Sequence, residues 1–314
     1  MKKKAIIVSI KSTTLKKKEK LLFSNKNPWG VILFKRNIKS LKQIQSLIKI
    51  IKKLTCDKNF PILIDEEGST VSRLKNIISH DISANYFGKL YLFNKNQGIQ
   101  IYKAYLNSLC KKLRNIGINI NTIPVLDVLR KNTSKVIGNR SFSNNKKIVS
   151  ELGRITINQC HANKIISVIK HIPGHGCATF DSHYKTPKVN FSYKNLNSID
   201  FFPFKSNSAK LAMTAHVLYR KIDSKNVATF SKKIIKEIIR YKIGFRGILI
   251  SDDISMKALK YDLITNAKKS LDAGCNLVLY CAGNINDNFK LIESVPYIDK
   301  FTSKKTSEIY KLLR

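Results

Sequence analysis

Residues 170–183 read Lys-His-Ile-Pro-Gly-His-Gly-Cys-Ala-Thr-Phe-Asp-Ser-His. They gather three of the chain's six histidines, a lysine, an aspartate and two glycines into fourteen positions. Imidazoles beside a carboxylate offer proton transfer near neutral pH, where histidine titrates. Asp181-x-His183 close to His171 and His175 has little structural use in a plain connecting loop. The stretch directly follows the apolar run Ile165–Ile169. A strand emptying into a glycine-hinged loop dense in titratable groups is how an α/β enzyme presents its chemistry. Cys177 lies in the same loop, but no glycine-flanked helix start accompanies it, so it is not taken as a nucleophile.

The elements that must hold this loop are legible as short apolar, β-branched runs alternating with longer amphipathic stretches. The runs are Ala5–Ile10, Val31–Phe34, Pro61–Ile64, Ile118–Val125, Ile165–Ile169, Leu211–Ala215, Gly247–Ile250 and Asn276–Tyr280. Between them lie helical patterns such as Ser231–Tyr241, in which Ile234, Ile235, Ile238 and Ile239 share a face. Ser231 suits the start of that helix and Gly244 the turn beyond its end. Eight βα units in one chain predict a closed (β/α)8 TIM barrel, an α/β fold, as a single domain over residues 1–314. A doubly wound open sheet is the alternative, but no Gly-x-Gly-x-x-Gly follows the first run. The barrel requires chemistry at the C-terminal strand ends. Asp65 closes the third run, Asp127 lies just past the fourth, Lys170-His171 closes the fifth, His216 the sixth and Asp252 the seventh. The tail after Pro296 reads as a last amphipathic helix closing the barrel.

With 314 residues, 43% of them apolar, the chain can bury a sizeable core, and no apolar run approaches the ~20 residues of a membrane span. Met1–Ile10 imitates a signal peptide, but its apolar part stops before Lys11, short of the ~7–15 residues of such a segment. It reads as the first strand. The net charge of +38 raises a nucleic-acid partner. The lysines are spread through every segment among asparagines and isoleucines, as an AT-rich genome imposes, and no nucleic-acid-binding motif is present. A generic basic surface is the better account, with attraction to acidic substrates or polyanions as a secondary, salt-sensitive effect. No specific nucleic acid and no membrane partner is expected. The six cysteines show no Cys-x-x-Cys or zinc spacing, which fits reduced thiols and a cytoplasmic location.

Taken in order, seven blocks carry a resemblance. They are Trp29–Asn37 (Trp-Gly-Val-Ile-Leu-Phe-Lys-Arg-Asn), Ile64–Gly68 (Ile-Asp-Glu-Glu-Gly) with Arg73, Pro124–Val128, Ile137–Phe142, the loop 170–183, Met213–His216, and Gly244–Met256 with its Ser-Asp-Asp-Ile-Ser-Met ending. Over nearly its whole length the chain resembles the glycoside hydrolase family 3 β-N-acetylglucosaminidases of the single-domain bacterial cytoplasmic type. The resemblance implies a retaining exo-β-N-acetylglucosaminidase (a β-hexosaminidase) acting on cell-wall fragments, N-acetylglucosamine linked to anhydro-N-acetylmuramic acid with or without peptide, in peptidoglycan recycling. It implies Asp252 as the nucleophile and His183, oriented by Asp181, as the acid/base. It also implies Asp65, Arg73, Arg140, Lys170 and His171 as sugar-binding positions. Physical reasoning is compatible with these roles. An i, i+2 spacing lets one carboxylate hold one imidazole in a turn, and side-chain alternation allows only one of Asp252 and Asp253 to face a substrate. His175 and His216 are expected to be structural, Asp127 to anchor loop backbone, and Asp253 to make structural contacts.

The chain departs from the family pattern at Ser69-Thr70, where Gly-Arg is usual, and at Asn276, where an aspartate is common. The resemblance implies a small saccharide or muropeptide as the partner; no cofactor and no metal is called for, and a monomer is expected. Two other enzymatic readings stay open: a metal-dependent barrel hydrolase with His171, His175, His183, His216 and Asp252 as ligands, and a β-N-acetylglucosaminide phosphorylase.

Overall fold

A computed structural model describes residues 2–78, 81–182, 184–205 and 207–313. His183 lies outside the described residues. Eight strands close into a parallel barrel: β1 (Lys4–Ser9), β2 (Pro28–Leu33), β3 (Ile62–Ile64), β4 (Ile120–Asn121), β5 (Ile166–Ile172), β6 (Leu211–Thr214), β7 (Ile248–Asp253) and β8 (Leu277–Leu279). They follow one another around the barrel in chain order, with β8 pairing β1 through Ile6–Val278 and Ile7–Leu279. The expected (β/α)8 barrel is the observed fold, and each expected strand is present.

The strand limits differ from the apolar runs in instructive ways. The ladder of β4 shrinks to Ile120–Asn121 because side-chain amides replace part of it. Asn119 Oδ1 accepts from Ile62 N–H at 2.8 Å, and Asn121 brackets Glu66 by accepting from its N–H and donating to its carbonyl. Strands β5 and β7 run past their apolar residues to Ile172 and Asp253, since the ladder pairs backbone whatever the side chain is.

Period-two alternation divides each strand between two cores. Ala5, Ile7, Ile32, Leu63, Ile120, Ile166, Val168, Leu211, Met213, Ile248, Ile250, Leu277 and Leu279 fill the barrel, whereas Ile6, Val8, Leu249 and Val278 face the surrounding helices. The barrel floor is shut by the last helix, Lys300–Leu313, whose Ile309 joins the inner cluster. Its Thr306 Oγ1 accepts a 2.9 Å hydrogen bond from the buried Trp29 indole N–H. Helix Ile234–Lys242 begins under Ser231, whose Oγ accepts from Ile234 N–H, and is followed by Gly244 at φ +80°. Among the described residues no helix is long and apolar enough to cross a membrane.

Candidate active site

The same alternation that fills the barrel produces the site. One step of two residues beyond the last apolar layer, the inward positions become Asp65 after Leu63, Thr122 after Ile120, Lys170 after Val168 and Asp252 after Ile250. Four charged or polar groups thus stand on an apolar plug at the C-terminal mouth, where barrel enzymes carry their chemistry. A cavity of about 490 Å3 opens above them. Asp65, Arg73, Arg140, Lys170, His171 and Asp252 all line it, together with Glu67, His175, Ser182 and Met256.

Lys170 is 2% exposed and is the hub of an ion network. Its Nζ lies 3.3 Å from Asp65 Oδ1 and 2.5 Å from Glu67 Oε1, and it donates to Thr122 Oγ1 at 2.8 Å. Arg73 Nη2 donates to Asp65 Oδ2 at 3.1 Å, and Thr122 also bonds that carboxylate. Arg140 grips Glu67 with two parallel bonds of 2.7 and 2.9 Å, the planar fork that a guanidinium presents to a carboxylate. Burial disfavours both carboxylates as anions, but the surrounding cations outweigh it. Lys170 and Arg73 hold Asp65 far below the usual range, and Arg140 and Lys170 hold Glu67 at about 2.

Glu67 is the site residue that sequence reasoning missed. It sits two residues after Asp65, so alternation puts it on the same side, and that signal was available in the Asp-Glu-Glu-Gly run. Glu66 between them turns away. It is buried and accepts from Ser72 Oγ, Arg73 N–H and Leu74 N–H, which fixes the segment presenting Arg73. Gly68 permits the turn: its φ is +140°, and a Cβ there would lie 2.2 Å from the Ile82 carbonyl oxygen.

Strand β5 delivers His171 beside Lys170, and the peptide joining them is cis. Asp127 anchors both the ring and the loop. Its Oδ2 is 2.7 Å from His171 Nδ1, and its Oδ1 accepts from His175 N–H at 2.6 Å. A carboxylate only accepts, so the proton sits on His171 Nδ1 and Nε2 is left for the cavity. Further bonds pin the loop: Thr133 Oγ1 donates to the Gly176 carbonyl, and the Tyr219 hydroxyl to the Gly174 carbonyl, both at 2.6 Å. At Gly176 a Cβ would fall 1.9 Å from the Val128 carbonyl oxygen, so only glycine lets the loop pack this closely.

Asp252 and Asp253 diverge. Asp253 accepts from Ser255 N–H, Ser255 Oγ and Cys281 N–H, and burial pushes its carboxyl up despite these bonds. Asp252 is half-buried and desolvation acts on it too, but the His216 and His171 imidazoles, the Asp253 N–H and Lys170 outweigh that and pull its carboxyl down. The neighbours therefore titrate in opposite directions, and Asp252 is the one poised as an anion. His216 is tied off, with Nε2 donating to the Asp253 carbonyl at 3.0 Å and Nδ1 against Thr229 Oγ1 at 2.7 Å. His175 is buried with neither ring nitrogen bonded among the described residues, and burial next to His171 lowers it to about 4. The departures have local answers. Thr70 lines the cavity, and Asn276 Oδ1 accepts from both Arg240 Nη2 and Leu249 N–H at 2.8 Å.

The candidate acid/base His183 falls outside the described residues. Its neighbour Ser182 is buried and lines the cavity, and the Ser182 carbonyl accepts from Ala258 N–H at 3.1 Å. Among the described residues no three His, Cys, Asp or Glu side chains converge as a metal site.

Comparison with known proteins agrees with this architecture. Residues 3–304 match the glycosyl hydrolase family 3 N-terminal domain. A β-hexosaminidase of Hydrogenovibrio crunogenus is 34% identical over 281 residues, spanning 88% of this chain and 78% of that protein. One from Actinobacillus succinogenes is 32% identical over 305 residues, spanning 94% and 87%. The crystal structure of NagZ from Neisseria gonorrhoeae in complex with N-trifluoroacetyl-D-glucosamine is similar with a TM-score of 0.90 and 28% identity, over 98% of this chain and 90% of that one. A β/α barrel with an acid-rich, cation-lined mouth and these matched residues make the chain a member of glycosyl hydrolase family 3.

Proposed function

We propose that this glycoside hydrolase, a β-N-acetylhexosaminidase, releases terminal non-reducing N-acetylglucosamine from peptidoglycan fragments by retaining double displacement. The observation that carries this reading is the meeting of an anionic Asp252 with Asp65, Arg73, Arg140, Lys170 and His171 around one cavity. In the first step the Asp252 carboxylate forms a bond to the anomeric carbon as the glycosidic C–O bond breaks. His183, oriented by Asp181, delivers its proton to the departing oxygen. In the second step neutral His183 takes a proton from water, the water oxygen bonds to the anomeric carbon, and Asp252 departs as carboxylate. Asp65 and Lys170 hydrogen-bond sugar hydroxyls, with Arg73, Arg140 and His171 completing the cradle. Charged partners make such bonds strong and fix the ring's orientation. No cofactor enters this scheme. The same reading makes the protein a cytoplasmic monomer of cell-wall recycling, with the N-acetylglucosaminyl-anhydromuramic acid fragment, with or without peptide, as its substrate.

Hydrolysis of an aryl β-N-acetylglucosaminide by wild type and Asp252→Ala tests the proposal. The variant is expected to lose several orders of magnitude in kcat, and azide is expected to restore turnover with an α-azide product. Near-wild-type turnover by the variant would refute the nucleophile. Sugar phosphate rather than free N-acetylglucosamine in phosphate buffer would make phosphate the acceptor.

A further inference from the structure

Beside the sugar cavity lies a second cavity of about 450 Å3, within the ~300–1,000 Å3 typical of ligand pockets. It is bounded by the loops that follow β5, β6 and β7, including the two-stranded ribbon Lys188–Val189 and Leu218–Tyr219. Lys185, Lys188, Lys225, Lys257 and Lys260 line it, and all five are exposed. No aspartate or glutamate is among its lining residues. The two nearest acids along the chain are already engaged: Asp223 accepts from the N–H groups of Lys225 and Asn226, and Asp262 caps the helix Leu263–Ala273. Tyr184, Phe230 and Tyr261 give the groove aromatic walls. Five lysines with no lining carboxylate make the groove a positive field suited to an anion, with the Lys185 ammonium itself resting 3.5 Å from the Phe180 ring centroid.

The two cavities share a wall. Ser182 and Met256 line the first, and Tyr184 and Lys257 line the second. Two bonds lock the wall together, Ala258 N–H to the Ser182 carbonyl at 3.1 Å and Thr186 Oγ1 to the Ala258 carbonyl at 2.6 Å. Met256 and Lys257 are consecutive, so neighbouring residues of one segment front the two cavities. An acid that protonates a leaving oxygen must stand beside the leaving group. On the glycosidase reading the leaving group departs on the Ser182 side of the first cavity, and Tyr184 and Lys185 a few residues on line the second.

We propose that this groove is a leaving-group subsite that binds the carboxylates of an acidic peptide carried by the substrate. The inference rests on the glycosidase reading above and extends it from the sugar to its aglycone. Ammonium groups on flexible stems, with no guanidinium fork, suit several carboxylates at variable spacing.

The test compares two substrates, a neutral aryl β-N-acetylglucosaminide and an N-acetylglucosaminide whose leaving group bears a peptide with three carboxylates. In Lys257→Glu/Lys260→Glu, kcat/KM for the acidic substrate is expected to fall about tenfold and for the aryl substrate to hold, with the wild-type preference shrinking as salt rises. The milder Lys257→Ala/Lys260→Ala is expected to fall in the same order by less. Equal changes for both substrates, or none for the acidic one, would overturn the subsite. A wild type that leaves the aryl substrate intact refutes the glycosidase reading instead. Direct titration with a tri-glutamate peptide, with inorganic tripolyphosphate as the other arm, reads the groove without catalysis. Salt-sensitive binding of the peptide, lost in the charge-reversed variant, is expected; binding of tripolyphosphate alone overturns the carboxylate assignment.

Discussion

The Lys170 ammonium stands 2.5 Å from Glu67 Oε1, joining a carboxylate held by Arg140 to the carboxylate of Asp65 held by Arg73. One cation thereby couples two acidic groups that would otherwise repel. Lys170→Met leaves Asp65 with Arg73 and Glu67 with Arg140 but removes the cation between them, and is expected to cost about 1–3 kcal/mol, below the ~3–5 kcal/mol of a buried pair broken outright. Denaturant unfolding of wild type and variant measures this. The double variant Lys170→Met/Glu67→Gln should recover part of the loss, and an equal loss in both would remove the coupling.

The acid limb of stability follows from the same network. Glu67 titrates at about 2 in the fold against an ordinary 4.5. A lowered pKa means that the native state refuses a proton that the unfolded chain accepts, so this stability is complete above pH 4.5 and drains as pH falls toward 2. Urea midpoints across that window should fall less steeply for Glu67→Gln than for wild type. Parallel slopes would place the acid sensitivity elsewhere.

A second window belongs to His175. Burial keeps it neutral down to about 4 against an ordinary 6.5, so unfolding takes up a proton between those values and stability rises with pH through the interval. His161, also lowered to about 4 by burial, adds in the same direction. Unfolding of His175→Asn from pH 4 to 7 is expected to show a flatter profile than wild type, and an unchanged profile would mean that the ring takes up its proton as readily in the fold as in the unfolded chain.

The paired aspartates should separate by phenotype. Asp253→Asn keeps only part of the acceptor capacity facing Ser255 and Cys281, and is expected to lose about 1–3 kcal/mol of stability with modest loss of turnover. Asp252→Asn is expected to stay folded and lose turnover. Circular dichroism melts beside aryl-glycoside kinetics distinguish them, and reversed phenotypes would exchange the two roles.

Gly176→Ala tests the packing of the loop. Its Cβ would meet the Val128 carbonyl oxygen at 1.9 Å, so the 174–178 segment must move off Asp127. An overpacking cost of about 1–3 kcal/mol and a fall in kcat are expected. Wild-type melting and turnover together would show that the loop yields without consequence.

Much of this molecule was written along the chain. Eight apolar runs with polar groups at their C-terminal ends are enough for a barrel, because parallel strands buried on both faces need continuous apolar residues and place their loops at one rim. Asp65, Lys170, His171 and Asp252 could be picked out because each ends such a run. The part taken by Glu67 was not, because its meaning lies in Arg140 and Lys170, which are distant in sequence and meet it only when the barrel closes. The opposed titration of Asp252 and Asp253, identical residues in adjacent positions, is likewise a property of what surrounds each one. The lysine groove is assembled from three loops, and in a chain with lysine throughout no local pattern marks it. Periodicity is a local quantity and survives in one dimension, whereas burial, pairing of charges and the shape of a cavity are relations between distant residues that exist only once the chain has folded.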